Sequence, residues 1–179
     1  MKEIIRYLTG YILGFTVFIV LIPLGFIKLS NLDYLFPSSV LISSDPLRYI
    51  VSSLFLLAGI YFALWSNIFL LKIGKGGPVD AFGVSVSPQT KKLVTTGPYR
   101  YCRNPMVFGA LSIYTAVVFY LNSIIGLICL VVFLIGAINY LKLSEEKRLL
   151  RDFGDEYVEY KKRVSMIFPL KRKKIINRI

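Results

Sequence analysis

This sequence predicts an all-α integral membrane protein with about four membrane helices, the last two a short hairpin, completed by a cytoplasmic loop and C-terminal amphipathic helices. Three observations carry that expectation. Of 179 residues, 55% are apolar and the mean hydropathy is +0.63, more apolar side chain than a water-soluble body of this size can hide. Three stretches hold no charged residue: Tyr7 to Ile27, Tyr49 to Leu71 and Asn104 to Leu141. The 22 lysines and arginines, against 10 acidic residues, cluster between and beyond those stretches.

The first stretch, 21 residues long, matches one crossing. It exceeds the apolar core of a signal peptide and no small-residue cleavage site follows, so it reads as a retained anchor. Gly10 and Gly14 allow close helix approach, and Pro23 with Gly25 bends its end. The second stretch, 23 residues, is another crossing. The third, 38 residues, would make a helix of about 57 Å, nearly twice a hydrocarbon core of about 30 Å, so it must fold back. Asn122 and Ser123 are the polar turn between arms Met106 to Leu121 and Ile124 to Leu141. The chain thus divides into a two-span hairpin, 1–72, and a core, 73–179, of loop, membrane hairpin and C-terminal helices.

Charge placement orients these spans. Lys2 and Arg6 lie at the N-terminus, residues 72 to 103 hold six basic residues and residues 142 to 179 hold twelve, whereas Ser30 to Pro46 and the turn at Asn122 hold none. Both termini and the 72 to 103 loop are therefore expected on the cytoplasmic side. The net charge of +12 is a topology signal, and nucleic acid is not an expected partner. From Glu145 onward, Leu149, Phe153, Tyr157, Tyr160 and Val164 draw one apolar stripe along a helix. Lys171, Arg172, Lys173 and Lys174 read as contact with anionic lipid headgroups.

Composition narrows the chemistry. No His is present, which removes Ser-His-Asp triads and HExxH metal sites. Cys102 and Cys129 lie too far apart for a zinc site or a disulfide framework, so no metal is expected. Gly74-Lys75-Gly76-Gly77 lacks the frame of a phosphate loop, and no GxGxxG occurs. The polar chemistry lies in the loop Lys72 to Arg103 and in the segment after Leu141. Asn104-Pro105 opens a helix, Asn accepting an orphan N–H and Pro having none to waste. With Arg100 and Arg103 beside it, that helix start suits a ligand carboxylate or phosphate. If the following helices run on regularly, Glu145 shares the face of Leu141 and Leu149 and turns inward, while Glu146 points elsewhere. Such a carboxylate either pairs with a ligand ammonium or ribose, or makes a local salt bridge to Lys142, Arg148 or Arg103.

Two blocks resemble the isoprenylcysteine carboxyl methyltransferases, within a wider membrane methyltransferase group that includes phospholipid N-methyltransferases. The first comprises Leu93-Val94, Gly97, Tyr99, Arg103-Asn104-Pro105 and Gly109; the second comprises Glu145-Glu146, Leu149, Phe153-Gly154, Tyr157, Tyr160, Val164 and then Pro169. The resemblance implies an enzyme that binds S-adenosylmethionine at its cytoplasmic face and draws a lipid-like or isoprenoid acceptor from the bilayer. Carried over by position, it implies that Lys91, Lys92, Leu93, Val94, Tyr99, Asn104, Pro105, Met106, Val107 and Glu145 hold the cofactor. Glu145, Arg103 and Asn104 are then the catalytic candidates, and Leu141 and Lys142 the substrate candidates. Three positions depart from the family pattern: Asn104 replaces a His, Val107 a Tyr, and Leu141 an Arg that engages substrate carboxylate.

The chemistry is compatible with these residues. Methyl transfer from a sulfonium to a carboxylate or thiolate needs positioning and dryness rather than a His base; an amine acceptor would lose a proton to Glu145, Glu146 or Tyr99. A noncatalytic scaffold and an NADPH-dependent isoprenoid or sterol reductase are the competing readings.

Overall fold

In the computed structural model, which describes residues 2–35, 40–77 and 88–170, the first charge-free stretch lies within one long irregular helix. Helix α1 (Lys2–Gly14) passes through a π-helical segment, Phe15–Leu21, into α2 (Ile22–Ser30). The irregularity sits just ahead of Pro23, whose ring would collide with the preceding turn and which has no N–H to give. In the π pattern, Ile22 N–H donates to the Val17 carbonyl, so the Phe18 carbonyl falls to Pro23, which cannot donate. The buried Tyr114 hydroxyl donates to the Phe18 carbonyl instead, at 2.8 Å.

Helix α3 (Asp45–Phe69) runs on through a π turn, Leu70–Gly74. Helices α4 (Pro105–Leu121) and α5 (Ile124–Tyr140) form the expected hairpin, and a further π turn, Leu141–Glu145, leads into α6 (Glu146–Arg163). Three helical stretches, Ile4–Leu35, Asp45–Gly74 and Ile124–Arg163, are long and apolar enough to cross a membrane, and Pro105–Leu121 is a shorter apolar helix. Only 6%, 11% and 11% of the most apolar windows of those three are buried inside the protein. Apolar side chains in such exposure require lipid as their solvent, which makes this an integral membrane protein.

Packing between spans is set by small residues. A Cβ on Gly59 would lie 2.8 Å from the Gly109 carbonyl oxygen, and one on Gly109 would lie 2.9 Å from that of Gly59. The reciprocal gap lets α3 and α4 cross almost backbone to backbone, as apolar solvent offers no other strong drive to associate. Phe26 of α2 stacks on Tyr114 of α4, centroids 5.6 Å apart, within a cluster that includes Val118.

The hairpin turn does more than reverse the chain. Asn122 takes a left-handed conformation (φ 55°), and its Oδ1 accepts the N–H groups of Leu41 and Ile42, both at 3.0 Å. Ser123 Oγ caps α5 by accepting from Gly126 N–H at 2.7 Å, and Asp33 Oδ1 accepts from Ile125 N–H at 2.9 Å. The connection between the first two spans is thereby pinned to the hairpin tip.

Tyr114→Phe keeps the ring and removes only the donor to Phe18. The expected cost is about 1–3 kcal/mol of stability, because a carbonyl is left unsatisfied in apolar surroundings; unfolding in detergent micelles measures it.

Candidate functional site

The loop that precedes α4 is tied to α3 before it reaches any site. Lys91 N–H donates to the Gly74 carbonyl at 2.8 Å. Val94 is buried, while Leu93 packs on Tyr157, Tyr160 and Val164. A 3₁₀ turn, Gly97–Arg100, carries Tyr99, whose hydroxyl lies 3.5 Å from the Ser66 carbonyl of α3. Burial first, and the negative field of Glu145 second, push the Tyr99 phenol well above its ordinary acidity range. Tyr99 is thus a neutral hydroxyl with the Glu145 carboxylate close by.

The C-terminal segment closes over this loop by backbone pairing. Arg103 N–H donates to the Ser165 carbonyl at 2.8 Å and Asn104 N–H to the Met166 carbonyl at 3.0 Å, with a parallel bridge between Cys102 and Ser165. Asn104 stands at the N-cap of α4, and its carbonyl accepts from Phe108 N–H. Its side chain does not cap the helix as expected; the amide donates to the Met166 carbonyl at 3.0 Å. The reason is local: two backbone segments converge here, and the Met166 carbonyl, which already accepts the Asn104 backbone N–H, lies within reach of the side-chain amide as well. Cys102 is fully buried, and burial pushes its thiol up to about 12, so it is no thiolate at neutral pH.

The charged centre is Arg103, Glu146 and Lys161. Arg103 Nη1 donates to Glu146 Oε1 at 2.5 Å and to the Tyr157 hydroxyl at 3.2 Å, and Lys161 Nζ donates to Glu146 Oε2 at 2.5 Å. The Arg103 and Glu146 side chains are each 8% exposed, so this pair is shielded from water, whereas Lys161 is half-exposed. Charge-assisted bonds to both carboxylate oxygens offset much of the desolvation that such burial costs. Arg103 Nε is buried with no acceptor among the described residues.

Two backbone irregularities produce this cluster. A π turn closes i to i+5 bonds and so inserts one residue relative to an α-helix. Through the turn Leu141–Glu145, the residue carried onto the inner side with Leu141 is therefore Glu146. The structure reverses the expectation that Glu145 turns inward: Glu146 is 7% exposed, while Glu145 is half-buried and faces Arg148 at 3.8 Å. The second irregularity is Gly154, at φ 49° and ψ −127°, a conformation that L side chains avoid. Lys161 follows Glu146 by fifteen residues, which on an unbroken helix would separate them by about 22 Å; the break at Gly154 folds the second half of α6 back so that they touch. The apolar stripe survives on the inside of both halves, where Leu149 and Phe153 meet Tyr157, Tyr160 and Val164. Tyr160 donates to the Tyr99 carbonyl at 2.6 Å, locking α6 to the loop. The Tyr157 phenol is pushed up to about 12, chiefly by burial.

Among the remaining expected site residues, Pro105 is buried at the start of α4, and Met106 and Val107 are half-buried behind it. Leu141 is 2% exposed and packs with Leu111 and Ile167, where Val107 joins them. Lys91 and Lys92 are exposed, and Lys142 lines a separate cleft beside Glu146. The terminal basic cluster, Lys171 to Lys174, lies outside the described residues. Tyr157 and Lys161 join the site without having been expected there as site residues. Tyr157 was legible as part of the apolar stripe and of the second family-like block, though not as a site residue, and Lys161 only as one of many basic residues on a polar face.

The family model described as phospholipid methyltransferase matches residues 47–156. No curated protein and no solved structure matches the chain. The matched span includes Tyr99, Arg103, Asn104 and both Glu145 and Glu146, and stops just before Tyr157.

Two predictions follow from the charge cluster and the break. Glu146→Ala should lower stability by about 3–5 kcal/mol by leaving Arg103 buried without a counter-charge, whereas Arg103→Met combined with Glu146→Leu should recover most of that loss. Unfolding of the single and double variants in the same detergent reads the difference. A Cβ at Gly154 meets nothing within 4 Å, so Gly154→Ala carries a backbone cost alone, about 1–3 kcal/mol, visible as a lowered melting temperature without a change in helical content.

Proposed function

The chain belongs to the phospholipid methyltransferase family, a membrane methyltransferase group whose members generally use S-adenosylmethionine, and on that premise we propose that it methylates a lipid-like acceptor at the cytoplasmic surface of the bilayer. The observation that carries this reading is the meeting of both sequence blocks at one end of the α4–α5 hairpin. Arg103 and Glu146 come from opposite sides of the hairpin and bond at 2.5 Å, with Glu145, Tyr99 and the start of α4 around them. The residues fit the cofactor by charge. Arg103 keeps a buried donor, Nε, without an acceptor among the described residues, suited to a carboxylate, and the half-buried Glu145 is suited to an ammonium or to ribose hydroxyls. Lys91, Lys92, Leu93, Val94, Asn104, Pro105, Met106 and Val107 complete the proposed wall. The cofactor supplies a methyl group on a sulfonium, already activated for transfer.

What this chain's own residues must do is hold the acceptor in line and keep water away. An amine headgroup is favoured over a prenylcysteine carboxylate. Leu141, standing where the carboxyl-specific enzymes carry Arg, is 2% exposed and packed in the core, so that position offers an acceptor carboxylate no cation. An ammonium acceptor must lose a proton before it can attack; Glu145 is the half-exposed carboxylate able to take it, while Tyr99 stays neutral. The cytoplasmic placement follows from the distribution of lysine and arginine.

Equilibrium binding of S-adenosylmethionine to detergent-purified protein, with NADPH as a control, tests the reading. Binding is expected with the methyl donor and not with NADPH, and Glu145→Ala should weaken it at least about tenfold, or about 1.4 kcal/mol. Unchanged affinity in folded Glu145→Ala would remove that anchor. Absence of binding by the folded protein would leave a noncatalytic scaffold, and NADPH binding a reductase. Methyl incorporation into phosphatidylethanolamine, compared with a prenylated cysteine, then separates the two acceptors.

A further inference from the structure

Glu146 also borders a cleft whose lysines Lys142 and Lys147 take no part in the proposed methyl transfer. The cleft has a volume of about 330 Å³ and is lined by Lys142, Lys147 and Lys161 around Glu146, with Leu150, Tyr157 and Val158 as its apolar part. That size lies at the lower end of the roughly 300–1,000 Å³ typical of ligand clefts. Three lysines therefore line one concavity with Glu146, whose carboxylate is already bonded to Arg103 and Lys161. Neither Lys142 nor Lys147 has an ion-pair partner among the described residues, and both are exposed. Like charges gathered in one concavity repel unless an anion completes the set.

Position identifies the anion. Lys142 is the first charged residue after the apolar run that ends at Leu141, so the cleft opens at the level where a membrane span meets the headgroup layer. Beside it, Leu143 is 65% exposed and Leu150 48% exposed, apolar surface suited to glycerol and the first methylenes of an acyl chain. Basic pockets at this depth recognise acidic headgroups, each lysine adding affinity on the order of fivefold. We propose that the cleft is a docking site for the phosphate of an anionic membrane lipid, gripped by Lys142 and Lys147 with Lys161 at its inner edge. The proposal requires only that the chain is embedded in a membrane and does not depend on the acceptor or on the cofactor. A seated phosphate would hold the first half of α6 against the bilayer.

The test uses the full chain in detergent, titrated with phosphatidylglycerol or phosphatidylcholine and read by native mass spectrometry. Phosphatidylglycerol has no amine to methylate, so it is not turned over, and the cleft variants below separate its retention in the cleft from occupancy of the acceptor site. Preferential retention of phosphatidylglycerol is expected, reduced on the order of 25-fold in Lys142→Gln/Lys147→Gln and kept in Lys142→Arg/Lys147→Arg. Val158→Glu, which places a negative charge in the cleft without touching a lysine, should also abolish the preference and serves if the double Gln variant fails to fold. Equal retention of the two lipids would overturn the proposal, as would a preference unchanged by these variants but lost when Lys171 to Lys174 are neutralised. Displacement by inorganic phosphate, but not by chloride of matched ionic strength, would assign the site to a soluble phosphate and overturn the lipid assignment. Binding of S-adenosylmethionine by the same samples reports separately on the methyltransferase reading.

Discussion

A single carboxylate, that of Glu146, ties together the parts of this protein that are far apart in sequence. It accepts from Arg103 at the start of the membrane hairpin and from Lys161 near the end of α6, while Arg103 also reaches Tyr157. Around that core the backbone pairs residues 102–104 with 165–166, and Tyr160 anchors the loop through the Tyr99 carbonyl. The loop, the start of the hairpin and the terminal helix are therefore tied into one body. A buried carboxylate flanked by two cations is costly to desolvate, and its geometry must be exact to persist. Here two backbone irregularities provide that geometry.

Helix irregularity is the recurring device. The π segments stand at three junctions: ahead of Pro23, where the N–H is missing; at Leu70–Gly74, where α3 hands over to the loop; and at Leu141–Glu145, where one added residue exchanges the roles of the two glutamates. Each leaves backbone groups that need partners in an apolar solvent. Tyr114 meets the first need, and the Lys91 N–H bond to Gly74 meets part of the second. The membrane tolerates these departures only because neighbouring side chains and backbone complete them.

The same economy shapes the chemistry. A chain without histidine places carboxylates, an arginine and neutral phenols at the membrane surface, and methyl transfer from a sulfonium asks for positioning more than for proton relays. Family membership agrees with that inventory. Of the three residues that depart from the resembled pattern, Asn104 bonds the Met166 carbonyl, while Leu141 packs with Leu111 and Ile167 and Val107 lies against them.

The sequence by itself determined the spans, the polar turn at Asn122 and Ser123 and the inward stripe of α6, because each is a local contrast between apolar and polar residues with a fixed period. It also marked Arg103, Asn104 and the glutamate pair as the place where polar chemistry must gather. Which glutamate turns inward was decided by the π turn, which no 3.6-residue period anticipates. The partnership of Glu146 with Lys161 was decided by the reversal at Gly154, and the pinning of Leu41 and Ile42 by the tip of the hairpin. These depend on where distant backbones meet, and distance along the chain carries no record of that.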